Sequence, residues 1–415
     1  MLPAILGNTS SSGGRRVAGE AQELWRAKAK GNRPTMRWRL LILVLVLFFL
    51  VHAEEKWERE FVPPDAVCRD DGSTSSSPPP TCSHSNFALL EDAGTEGERH
   101  CDLIGEHVYF HGIFDFARPS SVPLLVNQVC RALTMCISKD KFRLVLHLLG
   151  GKCTSDYEAA ADFLRSLGIT FTVWTGEFDT KSSQRARLVS LRDLQERDRK
   201  TSDWVLQVDA DEMPVFHPNS LSSLLQKLQR DDDCDAVYGR LSERVTADGK
   251  LANITLGTRL DQQFPLLCNV KERVEQAQSR KLVLYRASYR AGIGNHRLVC
   301  EAGGGSEQHG LQKCSAIFSK RADFRQLHPA VGVLPRKCNF GDLLDIEHFK
   351  YTWGLQGYLA ERIRVFRQNK ISWHSESEAV LRHVQTHGGI CVSCPDLRCF
   401  NETSNRLRPK MSDFS

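Results

Sequence analysis

Three acids crowd the stretch Asp209-Ala210-Asp211-Glu212, directly behind the apolar run Trp204-Val205-Leu206-Gln207-Val208. The run reads as a buried strand, and the acids fall where that strand should end. Polar residues at the carboxyl end of a strand in an α/β sheet lie where such folds hold ligands. In an extended segment the side chains at i and i+2 point the same way, so Asp209 and Asp211 are expected to converge on one cation. Carboxylate oxygens suit Mg²⁺ or Mn²⁺, ions that usually complete their shells with substrate phosphates. The chemistry this spacing offers is a divalent metal holding a nucleotide diphosphate. The competing reading is an acidic loop start, which is common after strands.

The elements that must position these acids follow from the hydrophobic pattern. His107 to Phe110, Phe142 to Leu148, Ile169 to Trp174 and Asp203 to Val208 read as strands. Val122 to Met135, Tyr157 to Leu167 and residues 183–199 read as helices, the second stopped by Gly168. Three strand–helix alternations with short connections predict an α/β fold with a mostly parallel sheet flanked by helices. Beyond Pro214 the pattern loosens into a mixed C-terminal portion. It holds a helix at Leu221 to Leu228, strands at Ala236 to Leu241 and Lys281 to Tyr285, and a long amphipathic helix ending near Phe366. Asp248-Gly249 carries the turn signal of a hairpin. The run Asp231-Asp232-Asp233 reads as a solvated turn rather than a metal site.

Composition bounds the rest. The 415-residue chain is 41% hydrophobic and 25% charged, as an ordinary globular protein is. Its net charge of +5 comes from the N-terminal tail, where eight Lys/Arg face only Glu20 and Glu23 within residues 1–39. The remainder is close to neutral, so no polycationic groove for nucleic acid is indicated.

After that tail runs Leu40 to Val51, the strongest apolar segment, followed by Glu54 and Glu55. It reads as a type II signal anchor, short for a bilayer span, or as a signal peptide starting at Met36 and cleaved near Ala53. Both readings send the chain beyond about residue 54 into the secretory lumen, in the Golgi or endoplasmic reticulum. All fourteen cysteines lie beyond the segment, which suits structural disulfides in an oxidising compartment. Cys391-Val392-Ser393-Cys394, with Cys399 nearby, offers only a weak zinc or redox signal. Asn253-Ile254-Thr255 and Asn401-Glu402-Thr403 are usable glycosylation sequons there. The expected organisation is a basic cytosolic tail (1–35), an anchor or signal (36–53), a Pro/Ser-rich stem (54–105), the α/β domain (106–370) and a Cys-containing extension (371–415).

A lumenal, membrane-tethered α/β domain with a strand-terminal Asp-x-Asp resembles the GT-A glycosyltransferases, and more closely glycosyltransferase families 2 and 92. The likeness rests on Val208-Asp209-Ala210-Asp211-Glu212-Met213-Pro214, on Lys281 to Tyr285 leading to Gly294-Asn295-His296, and on Glu347-His348-Phe349-Lys350-Tyr351. The family's Arg-Asn/Asp-Glu segment after the first strand is replaced here by His111-Gly112-Ile113-Phe114-Asp115-Phe116.

The resemblance implies a transferase that moves a sugar from a nucleotide-sugar donor to a glycan or glycoprotein acceptor, using Mn²⁺ or Mg²⁺. It implies Asp211 as metal ligand and Asp209 on the ribose, or on the metal through water. His348 is a candidate third ligand, since imidazole accepts Mn²⁺; a core histidine is the other account. His296, in a turn that Gly292 and Gly294 make permissive, could approach the phosphates. Lys281 and Lys350 could pair with phosphate or merely be solvated. An inverting reaction needs a carboxylate base, for which Asp345, Glu347, Glu212 and Asp261 are the choices. Two rivals remain: a non-catalytic lumenal glycan-binding or scaffold protein on the same fold, and a secreted metal-dependent hydrolase.

Overall fold

A computed structural model describes residues 60–62, 64, 80–82, 101, 104–116, 120–176, 186–187, 189–191, 194, 203–216, 221–230, 236–277, 279–287, 290–291, 298–299, 337–338, 344–352, 354–368 and 371–401. The basic tail, the apolar segment at 40–51, the Asp231 run and the His296 turn lie outside them. Among the described residues no helix is long and apolar enough to cross a membrane.

The first two strand–helix units of the domain follow the predicted pattern; an edge strand also comes from the segment expected as a stem, and most of the helix expected over residues 183–199 lies outside the described residues. Strands β1 (Phe61–Val62), β2 (Val108–Asp115), β3 (Phe142–His147), β4 (Phe171–Trp174) and β5 (Trp204–Asp209) stand in the order β1-β4-β3-β2-β5. β4, β3, β2 and β5 are mutually parallel, and β1 pairs antiparallel with β4 at the edge. Helix α1 (Ser121–Thr134) joins β2 to β3, and α2 (Ser155–Ser166) joins β3 to β4. Val122, Leu125, Val126 and Val129 recur at helical spacing on α1 and are buried in the main core. α2 starts on Thr154, whose side chain accepts from the Tyr157 N–H at 3.2 Å, with Asp156 and Glu158 in its first turn. Gly168, at φ +70°, ends it in the left-handed region. The chain thus steps from β2 out to β4 and returns on the other side of β2 as β5. That reversal between β2 and β5 is a topological switch point, beside which open α/β sheets bind ligands.

The second half is mixed. β6 (Glu212–Phe216) follows β5 after two turn residues, then α3 (Leu221–Arg230) leads to β7 (Ala236–Val245). Short helices α4 (Leu260–Gln263) and α5 (Val270–Arg273) flank β8 (Leu266–Cys268), and β9 (Arg280–Arg286) follows. β10 (Arg290–Ala291) and β11 (Leu298–Val299) form a separate pair, and β12 (Lys337–Cys338) lies parallel to β7. β13 (Leu344–His348) precedes α6 (Leu355–Gln368), α7 (His374–His387) and β14 (Cys399–Asn401). The order continues β5-β9-β7-β13-β6, parallel only between β7 and β13. Pro214 lies within β6, and β6 is the edge strand, where a missing N–H is tolerated.

In the second half two details differ from the sequence expectation. Thr246 to Gly249 does form a turn, but the residues directly after it do not pair back along β7. Lys250 instead bridges to Gly389, and β8 pairs with the end of β7. Gly249, at φ +75°, sits so close to the Ile390 carbonyl that a Cβ would overlap it, so this turn docks on the C-terminal segment. That segment is also more than an extension: Val380, Val384, Ile390 and Leu397 share a core with Val245, Tyr351, Leu355 and Leu359.

The expected disulfides are present. Cys82–Cys130, Cys101–Cys136, Cys268–Cys399 and Cys391–Cys394 are bonded, the last pair being the Cys-x-x-Cys itself. His387 lies beside that pair, but thiols joined to one another are not available as metal ligands.

Candidate active site

Asp209-Ala210-Asp211-Glu212 is a tight link between two strands: Asp209 ends β5, Glu212 starts β6, and the chain turns at Ala210-Asp211. The backbone is braced from three directions. Gln128 on α1 points its amide nitrogen at the carbonyls of Asp209 (2.8 Å), Ala210 (2.7 Å) and Glu212 (3.0 Å). The Phe349 N–H donates to the Asp211 carbonyl at 2.7 Å, and the Asp209 N–H to Glu212 Oε2 at 3.2 Å.

Because the chain turns, the i, i+2 geometry of a strand does not apply, and the two aspartates part company. Asp209 accepts from Arg187 through one oxygen and from Lys281 through the other. Continuing the antiparallel β5–β9 register by three residues sets Lys281 opposite Asp209. Lys281 also donates to Glu212. It is therefore an internal cation, 6% exposed, shared by two carboxylates. Burial opposes the charge on Asp209, but Lys281 and then Arg187 outweigh it and hold the acid well below its usual range. Glu212 goes the other way, since burial raises it more than Lys281 lowers it. Burial also opposes the Lys281 ammonium, and Asp209 with Glu212 more than restores it.

Asp211 turns instead toward His348 at the end of β13. Nε2 of His348 lies 3.4 Å from Asp211 Oδ2, while Nδ1 lies 2.8 Å from Glu243 Oε2 on β7. β13 runs between β6 and β7, and its register sets His348 beside Glu212 on one side and Glu243 on the other. Burial would discharge the imidazole, but Glu243 and then Asp211 push its pKa up to about 10.

The structure also places the other expected residues. Glu347 is buried and pairs with Arg244 at 2.6 Å. Asp345 is half-buried, and strand alternation puts it with Glu347 on the face of β13 opposite His348. Lys350 donates to Glu275, which also binds Lys271 at 2.6 Å and is held well below the usual range by the two lysines despite its burial. Asp261 pairs with Arg259 at 2.5 Å. His296 lies outside the described residues. The sequence reading missed Arg187, Gln128 and Glu243. Arg187 stood in the charged 183–199 segment without a spacing to mark it; Gln128 and Glu243 gave no motif signal at all.

Once the His348 Nε2 proton has been released to solvent, as metal binding requires, Asp211 and His348 fit a divalent cation. Two ligands that each lie about 2.1 Å from one ion at roughly 90–110° are about 3.0–3.4 Å apart, the separation seen here. Oxygen plus imidazole is a donor set Mn²⁺ accepts. Asp209 is turned to two cations of the protein instead.

No family model matches this chain, and no curated protein matches it in sequence. Among solved structures, one neighbour is the mannose-1-phosphate geranyltransferase of Thermus thermophilus, 11% identical over 68% of each chain with a TM-score of 0.20. A likeness at that score says nothing about this chain's activity.

Proposed function

We propose that this chain is a metal-dependent glycosyltransferase of the secretory pathway, of the GT-A kind resembling families 2 and 92. It moves a sugar from a nucleotide-sugar donor to a glycan or glycoprotein hydroxyl in the Golgi or endoplasmic reticulum lumen, tethered by the 36–53 segment. The observation that carries the reading is the Asp209–Glu212 turn at the carboxyl end of β5, on the switch point of the sheet, with His348 brought to Asp211 from 137 positions downstream. The four described disulfides and the exposed Asn253 sequon support the lumenal part.

In this reading Asp211 and His348 hold Mn²⁺ or Mg²⁺, which supplies Lewis-acid neutralisation of the departing diphosphate. Asp209 fixes Arg187 and Lys281 beside the same turn. With 28% of its side chain exposed, Asp209 can still meet a donor ribose. The acceptor proton goes to one of the expected carboxylates. Glu347 is engaged by Arg244, Asp345 shares its face of β13, and Glu212 alone belongs to the Asp211 turn.

A donor screen on the full chain tests the proposal, comparing wild type with Asp211→Ala. Transfer should fall by about 10²–10³-fold in the variant, the usual cost of removing one transition-state charge stabiliser. Equal transfer by both proteins would remove the site assignment. Absence of both transfer and Mn²⁺-dependent nucleoside diphosphate binding in wild type would favour the non-catalytic rival.

A further inference from the structure

Glu243 sits in β7 with none of its surface exposed, and neither carboxylate oxygen makes a full hydrogen bond. A buried carboxylate in that state calls for an explanation. It faces Nδ1 of His348 at 2.8 Å, near enough to pair but out of line for a hydrogen bond. The parallel register of β7 and β13 fixes the two residues side by side, so the approach is set by the sheet and not by loop geometry. The opposite ring nitrogen, Nε2, is the one that faces Asp211. A histidine that ligates metal through one nitrogen commonly gives its other N–H to a carboxylate, which fixes the ring's orientation and raises its basicity as a ligand.

We propose that Glu243 is the positioning residue that aims His348 Nε2 at a divalent cation shared with Asp211. The inference rests on the metal-site reading above and adds a residue to it. Glu243 itself touches neither cation nor substrate; it acts through the imidazole. A purely structural ion pair makes a different prediction, because its loss would lower stability and leave metal affinity alone.

The test titrates Mn²⁺ alone into the full chain and counts the free ion by electron paramagnetic resonance, alongside the thermal midpoint. Wild type, E243Q, H348A and the double variant are compared. E243Q should weaken Mn²⁺ binding by about 10- to 100-fold, the range for losing such an outer carboxylate. In the H348A background the same substitution should leave Mn²⁺ affinity unchanged, since the ring it positions is gone. Equal affinity in wild type and E243Q overturns the role of Glu243 and leaves the Asp211–His348 site standing. An equal loss in both backgrounds also overturns it, because Glu243 would then act by another route. Absence of Mn²⁺ binding in wild type overturns the metal site and this inference together. If E243Q does not fold, E243M, of similar volume and without the carboxylate, carries the same expectations.

Discussion

The two halves of the sheet bury different chemistry. The parallel half, β4-β3-β2-β5, packs aliphatic and aromatic side chains against α1 and α2. Its interior polar contacts include His111 with Ser190 at 2.8 Å, Tyr285 of neighbouring β9 donating to Gln207 at 2.5 Å, and one carboxylate–imidazole pair, Asp115 with His147 at 2.8 Å. The mixed half buries charges: Lys281 between Asp209 and Glu212, Arg244 against Glu347, and His348 between Asp211 and Glu243. Buried ion pairs are poor stabilisers, since well-packed apolar residues of the same volume often do as well or better. Stability alone does not account for so many of them in one half-sheet. The difference sets most of the buried ion pairs on the mixed side of the switch point, where the proposed site lies.

The sharpest way to break that contrast is to remove Lys281. Lys281→Met leaves Glu212, 4% exposed, without its cation. Removing one partner of a buried pair costs about 3–5 kcal/mol, because the other charge stays desolvated. Urea unfolding should show a loss of that size, and K281M/E212Q, which removes both charges, should recover much of it. A loss in K281M below about 1 kcal/mol would mean that the mixed half tolerates its charges no differently from a surface.

The parallel half yields a smaller, pH-dependent effect through His111. Burial, and then the Arg187 guanidinium, lower its pKa from 6.5 to about 3. The folded chain therefore keeps this ring neutral, while the unfolded chain takes up a proton below about pH 6.5. Stability from this group is fully present above that pH and falls as pH drops toward 3. The slope approaches about 1.4 kcal/mol per pH unit, so roughly 2 kcal/mol is lost between pH 6.5 and 5. Urea midpoints of wild type and His111→Asn across that window isolate the contribution. The difference between the two proteins should shrink as pH falls; a constant difference would show that the ring is protonated in both states or in neither.

The same division separates what the chain makes legible from what it hides. Parallel strands joined by helices are local patterns: apolar runs, helical spacing and a Gly168 stop are all readable within a dozen residues. Asp209 to Glu212 could be placed at a strand end for that reason. The turn inside it could not, because β6 carries Pro214 and reads as a break until β13 pairs with it. Glu243 and Arg244 look like ordinary charges in the sequence. Their burial depends on β13, which reaches β7 only after about a hundred intervening residues. Lys281 reads in the sequence as a phosphate partner or a solvated lysine, but the β5–β9 register turns it inward to Asp209. Charges in the mixed half take their meaning from non-local register, and no spacing rule records that.

The smallest expected effect lies where the halves meet. Gln128 belongs to α1 of the parallel half, yet its amide serves three carbonyls of the Asp209–Glu212 turn. One NH₂ group has two hydrogens, so at most two of those bonds are complete at once, and the third carbonyl shares. Gln128→Leu fills the same space but leaves buried carbonyls without a donor, at about 1–2 kcal/mol. Gln128→Glu keeps the shape and sets acceptor against acceptor beside an acidic turn, so it should be the worse of the two. Thermal melts would rank them, and Mn²⁺ titration would say whether the brace matters to Asp211 or only to the fold. If both variants melt with wild type, the turn is held by the Phe349 N–H and the strands alone, and the parallel half contributes only a surface on which the mixed half builds its site.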